Sequence, residues 1–570
     1  MMKRATRALA VLTFMLLLLL PFRAEAKKEP GAAGGGSPAE SVSSLPGGGI
    51  PVLSLTIDPE EFQKVIDSSR HEYRAESGSV RIDLPEGWTC GYGEPDIETL
   101  GRELPLRYIR GRGNSTWLEE KKPFRFRLAE SADLLAMGAN EHWVLLANAK
   151  DDSLLRNRLA AYAGDALGLA YTPKFVPVDL VVNGEYQGSY LLGEQVRIGE
   201  NRIEIDKIKK SQTGLPEISG GYLISMSPTI KDAYAGKFTL KSGLSFLVEE
   251  PELDEYDTSQ QEALQAQKGY IADYLQQVED AVFGDGFRNA DGTALSDLMD
   301  LESAAEYWWV QTFSFNNDAF ASTSTYLYKE RNEKLYWGPL WDFDRSFWIN
   351  GDDEDLNCGK MPWLDRLRES CPEYQQILRE SWDRFDEILK EMEAEGGVLD
   401  RYKEEIRLSW AKDHELRRGE LPEEGELDRI VEEIRQNIRL RREAIWRIID
   451  TDLANVFADV TFTADGRTIA KEQVYRWNKI APQQFPEPPA KDGYVFLGWT
   501  DESGQFFGAD SRVFSDMTVS AEYRETETAP EPPEESSEDA VKWLAAGILF
   551  LLTGGLALTA AGRRNSRRSG

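Results

Sequence analysis

The sequence predicts an α+β fold for its main domain, and three observations carry that prediction. Residues 51–250 hold mostly short strand signals, the stretch from about 259 to 452 reads as helices, and a strand hairpin interrupts the helical part. The strand signals fall at 104–110, 124–128, 143–147, 177–182 and 188–192, and the dipeptide Asn183-Gly184 between the last two marks a tight hairpin. One helix interrupts them over 152–167, with apolar residues at helical spacing and Gly168 as a stop. The helical half begins at 261–283, continues at 301–315 and ends in a long charged series over 373–452. The hairpin inside it spans 324–329 and 335–338.

The ends of the chain predict export and anchoring. Lys3, Arg4 and Arg7 precede an apolar run, and Ala24-Glu25-Ala26 supplies a small-x-small cleavage pattern, so residues 1–26 read as a secretory signal. Residues 27–50 are rich in Gly, Ser, Pro and Ala and read as a flexible linker. Residues 543–561 are nineteen in number and uncharged, enough to cross ~30 Å of hydrocarbon as a helix. Arg563, Arg564, Arg567 and Arg568 follow, and such charges stay in the cytoplasm. The expected topology is therefore a single-pass membrane protein with extracellular domains, an acidic Pro-rich stem at 525–540 and a cytoplasmic tail at 562–570.

Composition narrows the chemistry. A formal net charge of −32 argues against nucleic acid as a partner. Cys90, Cys358 and Cys371 are too few for a disulfide framework, though a local pair between the last two is open. Neither CxxC zinc spacing nor HExxH is present, and His71, His142 and His414 are scattered.

Residues 460–524 read as a separate unit. Val460-Thr-Phe-Thr-Ala-Asp-Gly466, 486–489, Gly493-Tyr-Val-Phe-Leu-Gly-Trp499 and Met517-Thr-Val-Ser-Ala-Glu-Tyr523 read as alternating strands around glycine turns. This order resembles the small β-grasp-like repeat of internalin-type surface proteins, which implies a spacer role.

Two clusters carry the chemistry of the main domain. Arg110-Gly-Arg-Gly-Asn-Ser-Thr-Trp117 followed by Lys121-Lys-Pro-Phe124 is a strand, a glycine loop and a second strand opening on lysines. Glycines let backbone N–H groups approach phosphate, and the basic side chains complement its charge. It is neither a GxxxxGK[ST] loop nor a GxGxxG loop. The second cluster joins Asn316-Asn-Asp-Ala-Phe320 to Gly338-Pro-Leu-Trp-Asp-Phe-Asp344, with Asp318 and Asp342 twenty-four residues apart and the hairpin between them. Phosphoryl transfer needs one carboxylate to orient the acceptor hydroxyl and another to hold a divalent ion on the nucleotide. Asp-Phe-Asp offers two carboxylates on one side of a strand, a suitable pair of hard oxygen donors.

In order, these clusters together with Asp152-Ser-Leu-Leu-Arg-Asn157, Val182-Asn-Gly-Glu-Tyr-Gln-Gly-Ser-Tyr-Leu-Leu-Gly-Glu194 and Ser324-Thr-Tyr-Leu-Tyr-Lys329 resemble the spore-coat CotH kinase family. The resemblance implies a diverged protein-kinase-like domain over 51–452, with a β-rich N-terminal lobe and a helical C-terminal lobe. It implies transfer of the ATP γ-phosphate to Ser or Thr of proteins on the cell envelope, with Mg2+ or Mn2+; the rival expectation is a non-catalytic adhesin on the same fold. By position, Asp318 is the acceptor-orienting base, Asp342 the metal ligand and Asp344 its assistant. Lys122 or its neighbour Lys121, with Arg112, contacts the nucleotide. Glu194 belongs to the nucleotide pocket, pairing a lysine or lining the hinge, and Arg156 and Asn157 give electrostatic support or packing. Thr323 stands where standard kinases carry a second metal-binding Asn, and Trp348 follows Phe347 where the family places a small residue.

Overall fold

The computed structural model describes residues 49–525 apart from 70–71, 227–233, 322–323, 348–360, 452–456, 476–478, 481, 510, 512 and 514–515. The expected signal, most of the linker, the stem, the 543–561 span, the tail, Thr323, Trp348 and Cys358 lie outside the described residues. Among the described residues no helix is long and apolar enough to cross a membrane.

Seven strands form a closed barrel: β1 (Val52–Thr56), β2 (Ser79–Asp83), β3 (Leu104–Gly111), β4 (Phe124–Asp133), β5 (Ala139–Leu146), β6 (Phe175–Val182) and β7 (Glu185–Glu194). Their order is β1-β2-β3-β4-β5-β7-β6, and β1 closes the ring by pairing parallel to β6. Closure leaves no open edge. Alternation decides which side chains fill it: Phe124, Phe126 and Leu128 of β4 point into the barrel core beside Trp143, while Arg125 and Arg127 point out. The expected hairpin is present, with Asn183 and Gly184 at φ 51° and 87°, the positive values that a two-residue hairpin turn demands.

The expected helix at 152–167 is shorter. As α2 it runs over Arg156–Leu167, following the first helix, α1 (Pro59–Asp67). Asp151 delays its start: Oδ1 accepts from the Ser153 N–H at 2.9 Å, and Oδ2 accepts from the Arg156 N–H at 2.9 Å. The carboxylate thus organises the preceding turn and satisfies the first helical N–H at once.

The front half holds three further strands, β8 (Tyr222–Met226), β9 (Lys237–Thr239) and β10 (Ser245–Glu250). The hairpin β11 (Tyr326–Lys329) and β12 (Leu335–Trp337) joins them in a second sheet ordered β12-β11-β8-β10-β9. The hairpin therefore does not stand alone among helices. Its pairing of Tyr328 with Leu223 crosses about a hundred residues of chain, which no local pattern reveals.

The helices are α3 (Gln261–Phe283), α4 (Leu301–Phe313), α5 (Pro362–Ser370), α6 (Pro372–Glu393), α7 (Val398–Arg418) and α8 (Glu426–Thr451), plus a single turn at Leu295–Leu298. The charged series thus resolves into three helices, with Gly397 before the second and Gly419, in the left-handed conformation, ending it. Trp309, Trp363, Tyr374 and Phe385 are buried at the heart of this lobe.

The last described unit is a five-stranded mixed sheet: β13 (Phe457–Ala464), β14 (Arg467–Tyr475), β15 (Tyr494–Thr500), β16 (Phe506–Phe507) and β17 (Met517–Glu525), ordered β14-β13-β17-β15-β16. Trp499 packs edge-on against Phe462 in its core. Residues 486–489, expected as a strand, are irregular because their prolines lack the N–H a ladder needs.

Candidate active site

A cavity of about 360 Å³ lies where the barrel's glycine loop, the exit of β5 and the second sheet converge. Both clusters singled out in the sequence line it.

The glycine loop follows β3. Gly113 has φ +83°, and a Cβ there would meet Thr116 Oγ1 at 2.1 Å, so only glycine fits. Arg112 lines the cavity, its guanidinium stacked over Trp341 at 5.2 Å. Burial lowers the pKa of Arg112, while Asp342 pulls it back up.

Neither lysine before β4 lines the cavity, which corrects the expectation for both. The Lys121 ammonium is buried against Asp413 of α7 at 2.6 Å and also donates to the Ser189 carbonyl. Lys122 Nζ folds back onto the Trp117 carbonyl at 2.6 Å, over that residue's indole. The lysine that does line it, beside Arg112, is Lys150, beyond β5, which donates to Ser115 Oγ of the loop at 2.9 Å. Glu194 is likewise placed elsewhere. Its carboxylate takes Arg202 at 3.1 Å and the Lys174 N–H at 3.0 Å. Burial pushes its pKa up to about 7 against the pull of Arg202. It ties the end of β7 to the following loop.

The three aspartates do come together. Asp318, in the turn after α4, is half-exposed and meets Arg345 at 3.4 Å. Asp342 and Asp344 line the same cavity, but not on a strand: 338–343 is irregular and Asp342 has φ +69°. The expected strand geometry is thus replaced by a left-handed kink, and side-chain amides hold it. Asn316 Nδ2 donates to the Asp342 carbonyl at 3.1 Å, joining the two aspartate segments. Asn157 of α2 accepts from the Phe343 N–H at 2.9 Å and donates to Asn148 Oδ1 at 3.0 Å. Ser324 Oγ donates to Asp342 Oδ2 at 2.8 Å, and Arg156 donates to the Asp344 carbonyl at 3.4 Å. Burial first, then the charges of Asp342, Asp151 and Asp318, push the Asp344 carboxyl up to about 7, with Lys150 opposing. The pocket thus holds more negative charge than its cations balance.

The model of the CotH kinase protein family matches residues 109–445, more than half of the 570-residue chain. The chain belongs to the CotH kinase family. No curated protein matches the chain. Membership makes it kinase-like, and every residue placed at the cavity above lies within the CotH match. Sequence reasoning missed Lys150 and Ser324 as lining residues. Lys150 sits beside the quoted Asp152-Ser-Leu-Leu-Arg-Asn157 motif, and Ser324 opens the quoted Ser324-Thr-Tyr-Leu-Tyr-Lys329 run, so both lay next to legible signals.

CotH kinases as a family imply ATP and a divalent ion. Among the described residues no group of three or more His, Cys, Asp or Glu side chains is gathered for a metal. Two carboxylates with phosphate oxygens and water suffice for Mg2+, which keeps part of its hydration shell. Asp342 and Asp344, which line one cavity and whose mutual repulsion a bound cation would relieve, fit that donor set.

Proposed function

We propose that this CotH-family chain is an atypical protein kinase, transferring the ATP γ-phosphate to Ser or Thr of extracytoplasmic proteins. The observation that carries the reading is the convergence of Asp318, Asp342 and Asp344 with Arg112 and Lys150 on one cavity beside a glycine loop. Asp318, the most exposed of the three, accepts the proton of the acceptor hydroxyl. The hydroxyl oxygen then bonds the γ-phosphorus, the bond to the bridging β–γ oxygen breaks, and ADP leaves with that electron pair. Asp342 and Asp344 hold Mg2+ or Mn2+, which neutralises phosphate charge. Arg112 and Lys150 replace the lysines at 121 and 122 as the cations facing phosphate, and the backbone of 113–116 supplies N–H donors. The expected signal and membrane span direct the domain outward, so neighbouring envelope proteins are its acceptors.

The test uses the full-length chain in detergent with α- or γ-labelled ATP, Mg2+ or Mn2+ and a casein-like acceptor, beside Asp318→Asn and Asp342→Asn. Incorporation from the γ-label alone, lost in both variants, supports the reading. Label from the α-phosphate would replace it with nucleotidyl transfer. No label and no nucleotide-induced thermal shift would sink it.

A further inference from the structure

A second cavity, of about 690 Å³, shares Glu249 with the first. Its barrel wall is cationic for a simple reason. Because the apolar residues of β4 fill the barrel, Arg125 and Arg127 face outward, and Arg74, Arg197 and His142 line the cavity beside them. Arg127 is held by Glu141 at 2.7 Å, and Arg74 stacks over Tyr108 at 5.1 Å. Arg125 and Arg197 have no ion pair or side-chain hydrogen bond among the described residues, and the buried Arg125 Nε and His142 Nδ1 are unpartnered there. The imidazole registers the field: burial first, then Arg197, Arg127, Lys207 and Arg125, push the pKa of His142 down to about 3.

The opposite wall is acidic, but its charges are largely spent. Lys207 takes Glu250 and Lys210 takes Glu255, each at 3.5 Å. Glu252 hydrogen-bonds Glu255, and burial with that neighbour raises its pKa to about 7. Glu249 accepts from Ser225 Oγ at 2.6 Å. Glu249 and Glu252 act on Arg125 only through space. The remaining carboxylate of the lining, Asp254, accepts from the Ala235 N–H at 2.8 Å. Arg125 and Arg197, with neither a carboxylate nor a ring against them among the described residues, are left to bind an anion.

We propose that this cavity docks an acidic or phosphorylated segment of the acceptor polypeptide, with its carboxylate or phosphate groups on Arg125 and Arg197. The meaning of "acceptor" rests on the kinase reading. A long polyanion such as nucleic acid is disfavoured by the net charge of −32, whereas a short acidic segment meets only the local field. The nucleotide phosphates have their own cations, Arg112 and Lys150, in the first cavity. Because Glu249 lines both cavities, an extended chain that runs past it carries a hydroxyl towards Asp318.

Anisotropy of labelled peptides with the full-length chain in detergent, without nucleotide, tests this independently of catalysis. Acidic and phosphoserine-containing peptides should bind at least tenfold more tightly than neutral or basic ones of equal length. Inorganic phosphate as competitor should displace the phosphopeptide weakly, because the chain and not the ion alone is recognised. Arg125→Gln with Arg197→Gln should lose at least tenfold, while Arg125→Lys with Arg197→Lys retains part of the affinity. Should the Gln pair fail to fold, salt decides: raising NaCl must weaken the acidic peptide and leave the neutral one. Equal binding of all peptides, preference for the basic peptide, or no loss in the Gln pair overturns the proposal. So does a Gln pair that loses nucleotide binding while the wild type binds no peptide. Peptide binding without phosphate transfer would instead sink the kinase reading and leave the docking site standing.

Discussion

At the scale of single residues, the protonation of Asp344 yields the sharpest prediction. Its carboxyl is pushed up to about 7 by burial and by Asp342, Asp151 and Asp318. A carboxylate must be deprotonated to ligate a cation. The sign follows: below pH 7 a proton competes with the ion, and above it the ion binds unopposed. Mn2+ affinity should therefore rise roughly tenfold between pH 6 and pH 8 and then level off. Asp344→Asn should bind weakly at every pH and lose the dependence, as measured by calorimetric titration. For Asp318→Asn, loss of general-base assistance should lower γ-phosphate transfer by about 10²–10⁴ in kcat with little change in ATP affinity. A large rise in KM for ATP instead would make Asp318 a nucleotide ligand. Asn316 belongs to the same scale. Its amide to the Asp342 carbonyl is what turns two distant motifs into one site, so Asn316→Ala should lower kcat while the melting temperature falls only slightly. Full activity in that variant would remove Asn316 as a positioning residue.

At the scale of elements, helix α7 clamps the barrel. Asp413 accepts from Lys121 and from the Ser189 N–H at 3.0 Å and forms an ion pair with Arg417 at 2.8 Å, while Ser409 donates to the buried Asp179 at 2.9 Å. Gly188 admits the contact, since a Cβ there would lie 2.3 Å from Asp413 Oδ1. Lys121→Met leaves Asp413 buried with one cation fewer and should cost about 3 kcal/mol in chemical denaturation, the low end for a broken buried pair because Arg417 remains. Adding Asp413→Leu should recover part of that loss; further destabilisation would mean the pair is a net stabiliser. This clamp also shows where sequence reading stopped. The strands, the Asn183-Gly184 turn and the aspartate motifs were legible because alternation, positive-φ residues and short motifs are local. The fate of Lys121 was not, because its partner lies nearly three hundred residues downstream on a helix with no motif. Two adjacent lysines opening a strand look like phosphate ligands until that partner is known. The hairpin β11–β12 was legible as a hairpin but not as part of the second sheet, again because its pairing is remote. Asp-Phe-Asp was legible as paired carboxylates, yet the left-handed kink at Asp342 depends on Asn316, Asn157 and Ser324, all from other segments.

At the scale of the whole molecule, charge is the governing quantity. The chain carries 98 acidic against 66 basic residues, and many of its ion pairs are exposed, such as Arg102–Glu98 and Arg429–Glu423. Exposed pairs contribute little, about 0–1 kcal/mol each, whereas a net charge of −32 repels itself over the entire surface. Salt weakens both, but the repulsion sums over many long separations and the pairs act at contact. Since separations beyond about 8 Å are screened at physiological ionic strength, the repulsive part should be lost first. The melting temperature of the full-length chain should therefore rise by a few degrees as NaCl increases from 10 to 200 mM, followed by differential scanning fluorimetry. Mg2+ should act more strongly than its ionic strength alone explains, because Asp342 and Asp344 add a specific site to the diffuse one. Asp342→Asn with Asp344→Asn should erase that excess and keep the salt response. A melting temperature that falls with NaCl would show instead that local pairs such as Lys403–Asp428, at 2.9 Å, outweigh the global repulsion.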